Sequence, residues 1–216
     1  MARALKHMDY DPSIPCCRGM DEIVAGIDEV GRGCLAGPVY AAAVAFRTRD
    51  LPIGLNDSKK LSAKRREALY PQIVACAHVG IGFATVEEID RLNILEATHL
   101  AMRRAFGNLP LRPPTVLIDG PADPGIGARG YRVINHDGLD GACPTVAAAS
   151  IVAKTVRDAM MTDLSLIHPQ YDWGSNKGYG TKKHYAGLES HGFTDHHRRS
   201  FSPIKEMARA AARKGN

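Results

Sequence analysis

Two short, almost wholly apolar runs, Ile-Val-Ala-Gly-Ile at Ile23 to Ile27 and Val-Tyr-Ala-Ala-Ala-Val-Ala-Phe at Val39 to Phe46, are separated only by a glycine-rich segment carrying Pro38. Apolar runs of this length bounded by turn residues read as buried strands. A parallel crossover needs about a dozen residues or more, so the short connection predicts an antiparallel pair. The first strand, Ile23 to Asp28, ends in two neighbouring carboxylates, Asp28 and Glu29, and the connection opens with Gly31-Arg32-Gly33. Paired acids at the end of a buried strand, beside a flexible turn with a cation suited to phosphate, point to metal-assisted phosphodiester chemistry.

Residues 1 to 20 carry Pro12 and Pro15 without periodicity and are expected to form a loose arm, with one domain over 21 to 216. Asn56 to Lys60 reads as a polar loop, after which Ser62 caps a helix through about Cys76, bent at Pro71. A third strand is expected at Val79 to Ala84. Thr85 with Glu88 forms a capping box opening a helical region that spaces Leu95, His99, Met102 and Phe106 on one face. A strand from Thr115 to Ile118 ends in Asp119-Gly120, the second acid at a strand end, and Tyr131 to Ile134 reads as another strand. A helix from Thr145 to about Leu164 should turn Ala149, Val152, Val156 and Ala159 to the core, with Ser150, Lys154 and Asp158 on a different stripe. From about 166 onward helices and loops are expected.

With 216 residues the chain can bury a sizeable core, and its formal charge of +5 favours an anionic partner, nucleic acid before a membrane surface. Five scattered cysteines without Cys-x-x-Cys spacing read as free thiols. No apolar run approaches the ~20 residues of a membrane span, and no secretory leader pattern opens the chain, so a cytoplasmic location is expected.

Magnesium prefers oxygen ligands from one or two carboxylates plus phosphate and water. A two-ion phosphodiester site needs about three or four carboxylates gathered from separate strand ends. Asp28, Glu29, Asp119 and one of Asp137 or Asp140 meet that demand. Gly31 to Pro38 has Gly-x-Gly-x-x-x-Gly spacing and is followed by a strand-like segment, which argues against a dinucleotide loop or a P-loop. What remains is a turn whose backbone can approach a ligand closely. Asn176 to His184 interleaves Lys177, Lys182 and Lys183 with Tyr179 between two glycines, a pattern suited to phosphates and a sugar or base. His197-Arg198-Arg199 reads as generic charge. The histidines of the tail lack the cysteine partners or His-Glu-x-x-His spacing of a zinc site.

Taken together, Gly26 to Gly33, Leu35 to Val39, Asn56 to Leu61, Leu117 to Gly120, Ala147 to Lys154 and Asn176 to Thr181 closely resemble bacterial ribonuclease HII, in that family's order. The resemblance implies a ribonuclease H-like α/β fold, with a mixed five-stranded sheet flanked by helices and a C-terminal helical extension that binds substrate. It implies a monomeric endonuclease that hydrolyses the RNA strand of RNA/DNA hybrids. It also implies incision 5′ to single ribonucleotides in duplex DNA, leaving 3′-hydroxyl and 5′-phosphate ends, as in ribonucleotide excision repair. Two Mg²⁺ or Mn²⁺ ions would be held by Asp28, Glu29, Asp119 and a fourth acid. Counting back ten residues from Ser150, as the family pattern directs, selects Asp140, although the family's usual Gly-Asp order is replaced here by Asp137-Gly138-Leu139-Asp140.

By the same resemblance, Gly31, Arg32 and Gly33 read the ribose 2′-hydroxyl and Tyr179 packs on the following deoxyribose. Lys59, Lys60, Ser150, Lys154 and Lys177 are the implied remaining substrate contacts. Cys34 stands where the family usually has Pro and is read as loosening the turn. A junction nuclease acting on DNA alone, or a hybrid-binding protein without catalysis, are the rival readings.

Overall fold

The computed structural model describes residues 23–214. Five strands, β1 (Val24–Val30), β2 (Val39–Phe46), β3 (Ala77–Ala84), β4 (Thr115–Asp119) and β5 (Arg132–His136), form one sheet in the order β3-β2-β1-β4-β5. The sheet is mixed. β1 runs antiparallel to β2 and parallel to β4, and β4 runs parallel to β5. The short glycine-rich connection therefore gives the antiparallel pair that its length requires, and Asp28 stands opposite Ala42.

The helices are α1 (Ala63–Cys76), α2 (Val86–Leu92), α3 (Ile94–Gly107), α4 (Leu139–Ala142), α5 (Pro144–Ile167), α6 (Trp173–Asn176), α7 (Lys182–His191) and α8 (Ile204–Lys214). Ser62 caps α1 by accepting the Arg65 amide, and Thr85 with Glu88 forms the expected capping box on α2. The helical region expected after Thr85 consists of two helices, α2 and α3. Asn93 breaks it with φ 75° and caps α3, its side chain accepting the Leu95 and Glu96 amides at 2.9 and 3.1 Å. Met102 and Phe106 are buried, but Leu95 at the start of that expected face is exposed.

Two compact units, each discontinuous in sequence, make up the described chain. The first takes the described residues through Val30, Tyr40–Phe83 and His99–Thr155, and contains nearly all of the sheet. Its core sets Val44, Phe46, Leu55, Leu69 and Ile73 against Ala147 to Ala153 of α5, while Val24, Leu117, Leu139 and Val146 form a second cluster. With apolar groups on more than one side, α5 is buried at every residue from 145 to 153, instead of along one stripe. Farther along, Val156 is half-buried and Ala159 exposed, contrary to the expected core face.

Gly26 explains how close α5 comes. A Cβ there would overlap the Thr145 carbonyl carbon and lie 2.5 Å from the Val146 nitrogen, so only glycine lets the start of α5 rest on β1 two residues before Asp28.

The second unit takes Gly31–Val39, Ala84–Thr98 and the residues from Val156 onward. Leu35, Ala36, Met161, Tyr171, Trp173, Leu188 and Ile204 form its core. The arm expected at 1 to 20, with Cys16 and Cys17, lies outside the described residues. Cys34 and Cys76 are free thiols, but Cys143 is disulfide-bonded, which corrects the expectation for that residue. No helix among the described residues is long and apolar enough to cross a membrane.

Candidate active site

Three aspartates stand at the carboxyl ends of three adjacent parallel strands, where open α/β sheets place their ligands. Asp28 lies near the end of β1, Asp119 ends β4, and Asp140 is in α4, just after β5. Ile27 pairs with Ile118 and Asp119 with His136, so the parallel register brings the three strand ends level. One carboxylate oxygen from each aspartate lies within 4.8 Å of the others. Asp28 and Asp140 are buried, at 4% and 6% exposure, and Asp119 is half-buried. Asp137 is exposed on the turn before α4 and is not among them.

Glu29 follows Asp28 on the strand, so its side chain leaves from the opposite face of the pleat. It does not join the three-aspartate group, but its charge bears on Asp28. Its amide donates to Asp28 Oδ1 at 2.7 Å.

The electrostatics are those of a site short of positive charge. Burial, then the charges of Glu29 and Asp119, hold the Asp28 carboxyl well above its ordinary range, opposed by a hydrogen bond from Ser150. Burial also raises Asp119, although the Asp140, Leu139 and Gly138 amides and Lys59 work the other way. Asp140 is pushed up to about 6 by burial, by Asp119 and by the charge and hydrogen bond of Asp57. Carboxylates crowd together this way at a cost unless cations join them. The all-oxygen donor set suits a hard divalent ion of the Mg²⁺ or Mn²⁺ kind.

Lys59 is a cationic answer from within the chain. Burial works against its protonation, but Asp28, Asp140, Asp57 and Asp119 outweigh it and raise the ammonium's pKa. It sits with exposed Lys60 on a single 3₁₀ turn, Ser58–Lys60, capped by the Asp57 side chain at 2.8 Å from the Lys59 amide. Ser58 and Ser150 are both buried, their hydroxyls 2.7 Å apart. Ser150 thus faces Asp28 and Ser58 from inside the protein. Lys154, one turn farther along α5, is half-buried.

The second unit holds the turn and the tyrosine. Arg32 and Gly33 are exposed and Gly31 is buried with φ +92°, a conformation that favours glycine. A Cβ on Gly31 would also strike the Arg157 guanidinium. Leu35 donates its amide to the Gly178 carbonyl at 2.8 Å, laying the turn along the segment that carries Tyr179. The Tyr179 ring is 41% exposed, and its hydroxyl hydrogen-bonds the Cys34 thiol. Cys34 in turn reaches the Lys177 carbonyl at 3.6 Å. Lys177 is half-buried, its ammonium 2.5 Å from both Thr162 Oγ1 and the Gly174 carbonyl.

Several residues of these sites carry no sequence signal of their role. Arg157 and Arg198 are fully buried and bind the backbone of the 31–38 turn. Arg198 belongs to the His197-Arg198-Arg199 run that composition reads as generic surface charge. Arg157 could have been suspected as a guanidinium seven residues after Ser150 on a mostly apolar helix. His184 and His197 are buried against Tyr171 and Trp173. The Thr194 amide donates to His197 Nδ1 at 2.9 Å, which leaves the His197 proton on Nε2, directed at His184 Nε2 3.1 Å away. His184 then donates from Nδ1 to the Tyr179 carbonyl at 2.9 Å. Burial lowers both rings, His197 to about 3, so the chain of hydrogen bonds is neutral at physiological pH.

The family model for ribonuclease HII matches residues 25–204. A ribonuclease HII of Cereibacter sphaeroides is 56% identical over 185 residues, spanning 85% of this chain and 86% of that protein. One from Wolbachia pipientis subsp. Culex pipiens is 52% identical over 184 residues, spanning 85% and 92%. Among solved structures, the ribonuclease H2 of Pyrococcus horikoshii OT3 superposes with a TM-score of 0.72 at 25% identity, over 87% of this chain and 98% of that one.

Proposed function

The chain belongs to the ribonuclease HII family, and from that premise we propose that it incises duplex DNA on the 5′ side of an embedded ribonucleotide, with Asp28, Glu29, Asp119 and Asp140 holding two divalent ions. As a member of the family it is a metal-dependent, type 2 ribonuclease H, an endoribonuclease acting on RNA/DNA hybrids. The observation that carries the finer reading is the convergence of three aspartate oxygens within 4.8 Å at the ends of β1, β4 and β5. Burial raises all three carboxyls, and repulsion from neighbouring acids adds to it at Asp28 and Asp140, which supports a site whose charge is completed by cations. When bound, such ions supply an activated water and stabilise the leaving 3′-oxygen, giving 3′-hydroxyl and 5′-phosphate ends.

The chain's own residues do the rest. Ser150 and the Glu29 amide hold the Asp28 carboxylate, and the α4 amides hold Asp119. Lys59 and Lys60 take the substrate backbone next to the acids, and one residue, Val30, separates Glu29 from the turn in sequence. Gly31, Arg32 and Gly33 read the 2′-hydroxyl, the group that distinguishes RNA from DNA. Tyr179, with its ring in part exposed, packs on the following sugar.

A titration of Mg²⁺ and of Mn²⁺ against cleavage of a duplex with one ribonucleotide, with the cut position mapped, tests reaction, substrate and cofactor together. The expected product is a single cut 5′ to the ribonucleotide that requires the metal. Asp28→Asn and Asp119→Asn should fold and lose it. Near-native rates in either variant, or equal cutting of all-DNA junctions, would overturn the assignment.

A further inference from the structure

Arg157 and Arg198 are both at 0% exposure, and neither makes an ion pair with a carboxylate among the described residues. A buried guanidinium is costly unless its N–H groups are satisfied. Here backbone carbonyls satisfy them. Arg198 donates to the carbonyls of Gly31 at 2.6 Å, Arg32 at 2.7 Å and Gly37 at 2.9 Å. Arg157 donates to those of Ala36 at 3.1 Å and Pro38 at 3.0 Å, and also to Lys177 at 2.9 Å.

The identity of those carbonyls matters. In a trans peptide the N–H points opposite to the C=O. Drawing the Gly31 and Arg32 carbonyls onto Arg198 therefore turns the Arg32 and Gly33 amides away from it, and both of those residues are exposed. Arg157 acts differently. It bonds the end of the turn and the Lys177 carbonyl with one planar group, two residues before Tyr179, and so ties the turn to the tyrosine segment. The fork geometry of arginine fixes directions that a lysine ammonium leaves free.

We propose that Arg198 and Arg157 are positioning residues for junction recognition, Arg198 aiming the Gly-Arg-Gly amides outward and Arg157 setting their spacing from Tyr179. The proposal rests on the reading of that turn and tyrosine as the ribose–deoxyribose reader. Junction reading needs two contacts at one nucleotide's separation, whereas a continuous hybrid offers a 2′-hydroxyl at every step. Loosening the spacing should therefore harm recognition of a lone ribonucleotide far more than cleavage of a hybrid.

The test compares Arg157→Lys, Arg198→Lys and Tyr179→Ala with the unaltered protein on three substrates: a duplex with one ribonucleotide, a duplex with a short ribonucleotide tract, and a continuous hybrid. Because a 1 Å misplacement can cost about 100-fold, the ratio of kcat/KM on the single ribonucleotide to that on the hybrid should fall ~10-fold or more in both lysine variants, as in Tyr179→Ala. Cuts in the tract should also spread from one position to several. Melting curves accompany each variant, and if Arg157→Lys is unfolded at the assay temperature, Arg198→Lys and the tract map decide. An unchanged ratio and cut map, or an equal fall on every substrate, overturns the positioning role. Failure of the unaltered protein to cut at a lone ribonucleotide would instead overturn the reading on which the proposal rests.

Discussion

Asp140→Asn separates charge crowding from catalysis. Burial, Asp119 and Asp57 raise this carboxyl from 3.8 to about 6 in the folded chain, whereas in the unfolded chain it keeps its ordinary value. A group raised by folding stabilises the fold fully below its unfolded pKa, and that contribution is lost as pH rises through the folded one. The metal-free protein should therefore lose stability between about pH 4 and pH 6. At ~1.4 kcal/mol for each tenfold change in proton affinity, the upper bound is about 3 kcal/mol. Asp57 and Asp119 are only half-buried, and solvent screening brings the loss to about 1–2 kcal/mol.

Asparagine keeps the shape and can still donate to Asp57, but it carries no charge. Asp140→Asn should thus raise the melting temperature of the metal-free protein by about 3–6 °C at pH 8 and leave it unchanged below pH 4, while hydrolysis is lost. Thermal melts in chelator at several pH values, repeated with Mg²⁺, measure this directly. Added Mg²⁺ should stabilise the unaltered protein more than the variant. A shift of the same size at every pH, or a lower melting temperature at pH 8, would refute the reasoning.

Two other outcomes follow from the packing and the charge. Gly26→Ala should destabilise by about 2–3 kcal/mol, since its Cβ meets the Thr145 and Val146 backbone and not a side chain that can move; urea unfolding reads this, and a loss of only a few tenths would mean that α5 can withdraw from β1. Replacing Lys59 and Lys60 by Ala should weaken binding of an RNA/DNA hybrid and reduce the slope of log affinity against log salt by about 2, so an unchanged slope would remove them from the phosphate contacts.

Local rules made much of the fold legible. β2 runs over Val39–Phe46 as its apolar run indicates, and the Ser62 cap and the Thr85–Glu88 box open helices where their spacing predicts. Rules of this kind work where the interactions lie within a few residues. They fail at Asn93, whose cap splits a region that looks continuous by periodicity, and along α5, where small apolar residues packed on several sides erase the single stripe.

For the candidate sites the division is sharper. Sequence by itself determined which acids were available, the family to which their blocks belong, and the glycine turn beside them, because motif residues sit at set spacings along one chain. Only the tertiary structure decided that Asp28, Asp119 and Asp140 come within 4.8 Å of one another while Asp137 stays exposed outside that group. That outcome depends on parallel register and strand pleat, which are properties of chain segments far apart in sequence. The tertiary structure alone also turned Arg198 from apparent surface charge, and Arg157 from a residue with no sequence reading, into buried donors behind the Gly-Arg-Gly turn. Charge patterning records that a guanidinium is present; whether it meets water or three backbone carbonyls depends on what folds over it.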